Sequence, residues 1–223
     1  LLVGARRGAH LVAGALAHLV APTRRSAAES VRTRFSKLGP DAVVARIAAA
    51  AGPEKENDSP TALHIPAVQA NVGNNVNVGT QNISLTGNGA YTGELSCEMV
   101  TDMGLKWTLT GHSERRVGFG FPGETSHVVG VKTKNAVDQG LHVMACIGEQ
   151  LEDREAGTTM DVYAEQLSAI QATLETGDWK NIVIAYEPVW AIGTGKVATP
   201  QQAQEIHAEI RNWLADNVST EVA

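Results

Sequence analysis

From residue 76 onward the sequence repeats a pattern that leaves few folds open. Short runs rich in β-type residues occupy 76–81, 107–110, 142–147 and 182–186. They begin roughly 30 to 40 residues apart, and the segments between them carry helical periodicity. Strand alternating with helix at that spacing means βαβ units and a parallel sheet, an α/β architecture. The runs are almost continuously apolar, as strands covered on both faces must be. The helix signals agree. Thr199 supplies an N-cap, Pro200 the first helical position and Gln202 the residue three past the cap. Ala203, Ile206, Ile210 and Trp213 with Leu214 then make one apolar stripe. Thr125 or Ser126 opens another helix, with Val128, Val131 and Val137 inward and Gly140 as its stop. A third covers about 160–174 through Val162, Leu167, Ile170 and Leu174.

The front of the chain does not share this rhythm. Residues 30–51 read as a helix interrupted at Gly39 and Pro40. The stretch GPEKENDSP (52–60) is turn and loop chemistry. The apolar run at 11–20 suits helix or strand, and 1–4 has the pattern of a strand. Charge divides along the same line. Residues 1–50 hold eight Lys/Arg against Glu29 and Asp41, a net +6; the remainder holds ten against twenty-two acids, a net −12. An acidic body repels phosphate at long range, which argues against nucleic acid or a membrane surface as partner. No apolar run is long enough to span a bilayer. Residues 1–28 contain four Arg, two His and no acid, the style of an organellar transit peptide. A chain that starts at Leu1 equally suits a sequence whose beginning lies upstream. Cys97 and Cys146 fit no metal spacing and read as reduced core thiols. No metal site is expected.

Two strand ends carry candidate chemistry. The run 182–186 delivers Glu187, then Pro188, then the apolar Val189, Trp190, Ala191 and Ile192, then Gly193, Thr194, Gly195 and Lys196. Ligands of α/β proteins bind at the C-terminal edge of the strands. A carboxylate there, partly desolvated by apolar neighbours, should have a raised pKa and act as a general base. Pro188 and the glycines resemble the stiff and yielding ends of a lid. Gly193 offers a backbone N–H suited to an anion. The second end is TLTGHSERR (108–116), where His112 stands past the strand and Ser113 is placed to cap a short helix. The partial positive charge of a helix N-terminus favours a neutral imidazole, able to donate to a carbonyl oxygen. Alone, each residue has an ordinary reading as a strand-end acid or a strand-end histidine. Together, a base, a neutral histidine and a lid make a layout for removing a proton next to a carbonyl.

AYEPVWAIGTG (185–195) and TGHSERR (110–116) resemble the active-site segments of the triosephosphate isomerase family. VGTQN (78–82), AYTGE (90–94), ACIGE (145–149) and TPQQAQEIHAEIR (199–211) follow in that family's order. The resemblance covers about 60–217. It implies a (β/α)8 TIM barrel that interconverts dihydroxyacetone phosphate and glyceraldehyde 3-phosphate in glycolysis and gluconeogenesis, without a cofactor. In that family the pairing of a carboxylate base with a neutral histidine, under a closing loop, is well known. The resemblance implies Glu187 as the base, His112 as the electrophile, Glu114 as the acid that follows it, 188–196 as the lid and Gly193 as a phosphate donor. It implies a homodimer in which the loop bearing Thr92 reaches the partner's active site, and a cytoplasmic location; the basic, acid-free start instead suggests a mitochondrion or plastid.

The departures are equally specific. An Asn-x-Lys strand opens the family pattern, and none is found here. GPEKEND (52–58) stands where an apolar second strand is expected, and the chain stops at Ala223 before a seventh and eighth strand. The expectation is therefore an incomplete barrel with strands three to six clear, a divergent or transit-like segment over 1–58 that is partly disordered, and a partial barrel over 59–223. On this reading the strands near 76 and 182 lack neighbours unless N-terminal segments fill in. The chain is then a partial product of low activity, or a non-catalytic relative that serves as an interaction or dimerisation module through 85–94.

Overall fold

The computed structural model describes residues 2–4, 10–12, 56–74, 76–192, 194 and 196–223. The helix expected over 30–51 lies outside them, as does most of the run at 11–20. Seven strands form one sheet: β1 (Leu2–Gly4), β2 (His10–Val12), β3 (Glu56–Asp58), β4 (Val76–Thr80), β5 (Trp107–Thr110), β6 (His142–Ile147) and β7 (Ile182–Tyr186). Their order is β1-β7-β6-β5-β4-β3-β2. β2 through β7 pair in parallel, and β1 alone runs antiparallel, with Leu2 opposite Ala185 and Gly4 opposite Val183. Among the described residues the two outer strands, β1 and β2, do not pair with each other, so the sheet stays open.

One strand differs from expectation. Glu56–Asp58 falls in the segment read as loop, yet it pairs with Val76, Asn77 and Val78 of β4. Backbone groups make the ladder, so a polar tripeptide can join it if its buried side chain finds a partner. Asn57 does: it is buried, and Asn77 Nδ2 donates to its Oδ1 at 2.8 Å. The strands at 76 and 182 are also not bare edges, because β3 covers one and β1 the other.

Among the described residues the α-helices are α1 (Ile65–Asn71), α2 (Cys97–Asp102), α3 (Ser113–Val117), α4 (Ser126–Asp138), α5 (Leu151–Ala156), α6 (Thr159–Gln171) and α7 (Pro200–Asn217). Thr199 caps α7 in a reciprocal capping box with Gln202, and Ala203, Ile206, Ile210 and Leu214 form its buried face. Thr125, not Ser126, caps α4. The inward face of α4 is Val129, Lys132, Thr133, Ala136 and Val137, one step round from the expected Val128 and Val131. The shift has a cause. Thr133 is buried but satisfied, pairing with Thr110 Oγ1 at 2.9 Å and the Val129 carbonyl at 2.8 Å, so polarity along the helix does not mark its outer face.

The side chains of the parallel strands alternate between two apolar layers. Val143, Ala145, Ile147, Ile182, Ile184 and Tyr186 pack with the helices in the main core. Leu109, Met144, Cys146 and Ala185 form a second cluster with Trp107. Both cysteines are free and buried. Burial pushes the Cys97 thiol up to about 11, and Cys146 well above the usual thiol range, which leaves both inert. No described helix is long and apolar enough to cross a membrane.

α4 and α6 approach each other at Gly130, where a Cβ would lie 2.4 Å from the Ala169 carbonyl oxygen. Thr173 Oγ1 seals the approach by donating to the Gly130 carbonyl at 2.9 Å. Helix propensity alone would make Gly130→Ala stabilising by about 1 kcal/mol. The contact predicts the opposite, a loss of about 1–3 kcal/mol through overpacking. Urea denaturation decides between them: the midpoint should fall, and a rise would mean that the two helices part freely.

Candidate active site

Glu187 and His112 come from different strands and meet. The ladder between β6 and β7 runs one residue past Tyr186, where the Glu187 N–H donates to the Ile147 carbonyl at 2.8 Å. That fixes the Glu187 backbone at the C-terminal edge of the sheet. The approach requires a glycine next door, because a Cβ on Gly148 would stand 2.0 Å from the Glu187 carbonyl oxygen. On the other side, β5 ends at Thr110 and turns at Gly111, with φ of 69°. A side chain there would also strike Val129 and the Cys146 carbonyl. The turn throws His112 toward β7, and His112 Nε2 lies 2.9 Å from Glu187 Oε1.

His112 itself is the N-cap of α3, the place assigned from sequence to Ser113. Its Nδ1 accepts the Glu114 N–H at 3.3 Å. A nitrogen that accepts carries a lone pair, so the ring proton sits on Nε2 and is donated to Glu187. This is the neutral tautomer, set by the backbone at the helix start. The Glu114 carboxylate is partly exposed, with Oε2 3.9 Å from His112 Nδ1.

Ser113, displaced from its capping role, serves Glu187 twice. Its N–H donates to Oε2 at 2.9 Å, and its hydroxyl donates to Oε1 at 2.9 Å. Glu187 is only 1% exposed. Burial alone would raise its pKa, but the hydrogen bond from His112 and the two from Ser113 outweigh burial and hold it below the ordinary 4.5. The raised value expected from the apolar neighbours is thus reversed in this resting geometry. The sequence showed those neighbours and not the donors 74 residues away.

Arg116 is a further residue that sequence reasoning passed over. Its guanidinium is largely buried and donates to the Gly111 carbonyl at 2.8 Å, the Cys146 carbonyl at 3.1 Å and Ser126 Oγ at 3.1 Å. It ties the His112 turn to β6. A cavity of about 350 Å³ borders Ser113 and Glu187 and is walled by Arg116, Glu124, Glu165 and Gln166. It has room for a small ligand. Its acidic walls do not suit a phosphate, since its one guanidinium is spent on carbonyls and a serine.

The expected lid begins in order. Pro188 leads into a 3-10 turn, Val189–Ala191. Trp190 is buried, with Nε1 donating to Tyr186 Oη at 3.4 Å and the Arg154 guanidinium 4.6 Å from the ring centroid. Its apolar surface is therefore covered without any ligand. Ile192 is half-buried, Thr194 Oγ1 donates to the Trp190 carbonyl at 2.9 Å, and Lys196 Nζ lies 3.7 Å from Glu155 on the surface. Gly193 and Gly195 fall outside the described residues. Thr92 stands exposed in the loop between β4 and α2. Among the described residues no three His, Cys, Asp or Glu side chains are grouped to hold a metal ion.

A family model described as triosephosphate isomerase matches residues 42–223. Curated relatives agree. The cytosolic triosephosphate isomerase of Oryza sativa subsp. japonica is 51% identical over 165 residues, covering 74% of this chain and 63% of the relative. The chloroplastic enzyme of Fragaria ananassa is 50% identical over the same share of this chain and 51% of its own length. The triosephosphate isomerase of Coprinopsis cinerea is 52% identical, with 64% of it covered. The chain thus spans between half and two thirds of the length of these relatives. The open parallel sheet with its helices is accordingly an incomplete (β/α)8 barrel, and the chain belongs to the triosephosphate isomerase family.

Proposed function

We propose that this chain carries the proton-transfer machinery of a triosephosphate isomerase, acting on dihydroxyacetone phosphate and glyceraldehyde 3-phosphate. The observation that carries the reading is the 2.9 Å contact between Glu187 and Nε2 of His112, whose Nδ1 accepts the Glu114 N–H. In the resting chain the carboxylate is parked on Ser113 and uses up the His112 N–H. A substrate carbonyl that takes over the His112 donor releases Glu187 from that bond. Once the carboxylate leaves Ser113 as well, burial is the influence that remains, and its pKa rises toward that of a useful base. Glu187 then takes a proton from the carbon beside the carbonyl, and His112 donates to the oxygen on which negative charge develops. Residues 188–196 close over the enediolate and keep out water, with Gly193 donating its N–H to the phosphate. Glu114 sets the His112 tautomer through its N–H.

The partner read from the resemblance is a second copy of the chain, approached by the loop with Thr92. Tyr91 in that loop is exposed, as are Phe119 and Phe121 beyond α3. The same exposed surface favours the second reading, a non-catalytic interaction module. The compartment read from the resemblance is the cytoplasm, and a tagged full-length chain imaged in cells distinguishes it from a plastid or mitochondrion.

An NADH-coupled assay on the purified chain, with glyceraldehyde 3-phosphate as substrate, separates the readings. Glu187→Gln should lower kcat by about 10²–10⁴-fold, the usual worth of a positioned base. No turnover in the unchanged chain favours the interaction module, and turnover that survives the substitution would remove Glu187 from the role of base. The pH profile tests the parked carboxylate. Because the folded-state pKa of Glu187 is depressed, its ionised form and the stability it contributes persist above the ordinary 4.5 and fade only as pH falls through a lower value. The acid limb of kcat/KM, which reports the free enzyme, should therefore lie below that of an ordinary glutamate. Ser113→Ala removes a donor to the ionised form and should move that limb to higher pH. A limb that does not move would show that Ser113 leaves the base unaffected.

A further inference from the structure

Glu149 is a carboxylate the proton transfer does not use, and it is completely buried. It lies two residues beyond β6, at the same sheet edge as Glu187. Three donors converge on it. Tyr163 Oη, from the middle of α6, donates to Oε2. Tyr186 Oη, the last residue of β7, donates to Oε1 at 3.2 Å, and Arg154 Nη1 of α5 donates to Oε1 at 3.1 Å. The direction of the next link follows from proton counting. An indole N–H can only donate, and a phenol has one proton. Tyr186 gives its proton to Glu149, so its oxygen is left to accept the Trp190 N–H at 3.4 Å. The chain of bonds therefore runs from Tyr163 through Glu149 and Tyr186 to the turn that follows Glu187.

Tyr163 is the member of this chain that comes from furthest outside the strand edge. It is fully buried, and its ring packs edge-on to Tyr186 with centroids 5.8 Å apart. A phenylalanine would fill that space equally well. A hydroxyl carried into a core costs free energy unless it is bonded, so its presence here calls for a reason beyond packing. Burial and the neighbouring Tyr186 and Glu149 push its pKa far above the usual phenol range, so it stays a proton donor. Without that donor, Glu149 Oε2 is a buried, unanswered acceptor. The carboxylate then turns to recover a partner, and Tyr186 loses the acceptor that orients its proton.

We propose that Tyr163 is a positioning residue for the loop after Glu187: its hydroxyl fixes the Glu149 carboxylate, which orients Tyr186 to hold Trp190. The link to catalysis rests on the isomerase reading above, while the link to Trp190 does not. Tyr163→Phe in the full chain tests both. Amide hydrogen exchange at residues 189–192 should speed up about tenfold, the loss of one charge-assisted hydrogen bond, while amides of β6 and α6 keep their rates. kcat/KM for glyceraldehyde 3-phosphate should fall by a similar factor. In a Trp190→Phe background the same Tyr163→Phe change should add nothing to either quantity. A lower melting temperature with unchanged exchange at 189–192 would overturn the proposal and leave Tyr163 a core phenol, as would an effect that is simply additive with Trp190→Phe. Exchange needs no turnover, so an inactive chain sinks the isomerase reading without sparing or sinking this one.

Discussion

Three hydrogen bonds from two consecutive residues onto one buried carboxylate organise this site. Ser113 and His112 belong to the segment after β5, and Glu187 follows β7, so the bonds span the width of β6. The strand between sets the span. Its Ile147 carbonyl holds the Glu187 N–H, and its Cys146 carbonyl holds Arg116, which in turn holds the Gly111 turn. Two glycines, Gly111 and Gly148, are where backbone must pass too close for a side chain. Base and histidine are thus placed by main-chain geometry, which is stiffer than any arrangement of surface side chains.

The same edge of the sheet gathers three enclosed acids, and each is neutralised differently. Glu187 has a neutral imidazole and a serine, so its charge is stabilised by donors that can be exchanged for a substrate's. Glu149 has an arginine and two phenols. Glu124 is bridged by Arg115 and Lys132 at 2.6 and 2.8 Å; burial would raise its pKa, but these two cations hold it below the usual carboxylate range. A cation paired directly with Glu187 would lock its charge in place and oppose proton uptake. Supplying it with uncharged donors keeps it ionised at rest and able to act.

How far the sequence revealed this follows from the range of the forces involved. The strands β5, β6 and β7 and the capping box of α7 were legible because periodicity and capping are local properties. So was the meeting of Glu187 and His112, because residues at the C-terminal ends of parallel strands in one sheet face one edge. Glu56–Asp58 was not legible, since its pairing depends on β4 and on Asn77 answering Asn57. Ser113, Arg116 and Glu149 escaped for a similar reason. The partner of Ser113 lies 74 residues away, one of the three partners of Arg116 lies 30 away, and those of Glu149 arrive from two helices and a strand. A polar residue gives no sign in sequence of which distant group it answers, and the pKa of Glu187 changed direction on that account alone.

The geometry also separates two demands that a triose phosphate makes on its enzyme. Proton transfer needs β5, β6 and β7 in register, and each of these has a neighbour on both sides: β4 and β6 for β5, β5 and β7 for β6, β6 and β1 for β7. That part of the site does not depend on the sheet closing into a barrel. Holding a dianionic phosphate is different, because it needs donors with no other claim on them. The cations near the pair, Arg115, Arg116 and Lys132, are committed to protein oxygens. Glu124, Glu165 and Asp153 line the adjoining cavity. Recruiting any of these cations to a phosphate would strand a buried acid or loosen the His112 turn. Affinity for the phosphate must therefore come from groups other than these, and the Glu187–His112 pair can be correctly built while substrate binding is weak. On the proposed isomerase reading, a raised KM with the chemistry of proton abstraction intact is the signature this arrangement imposes.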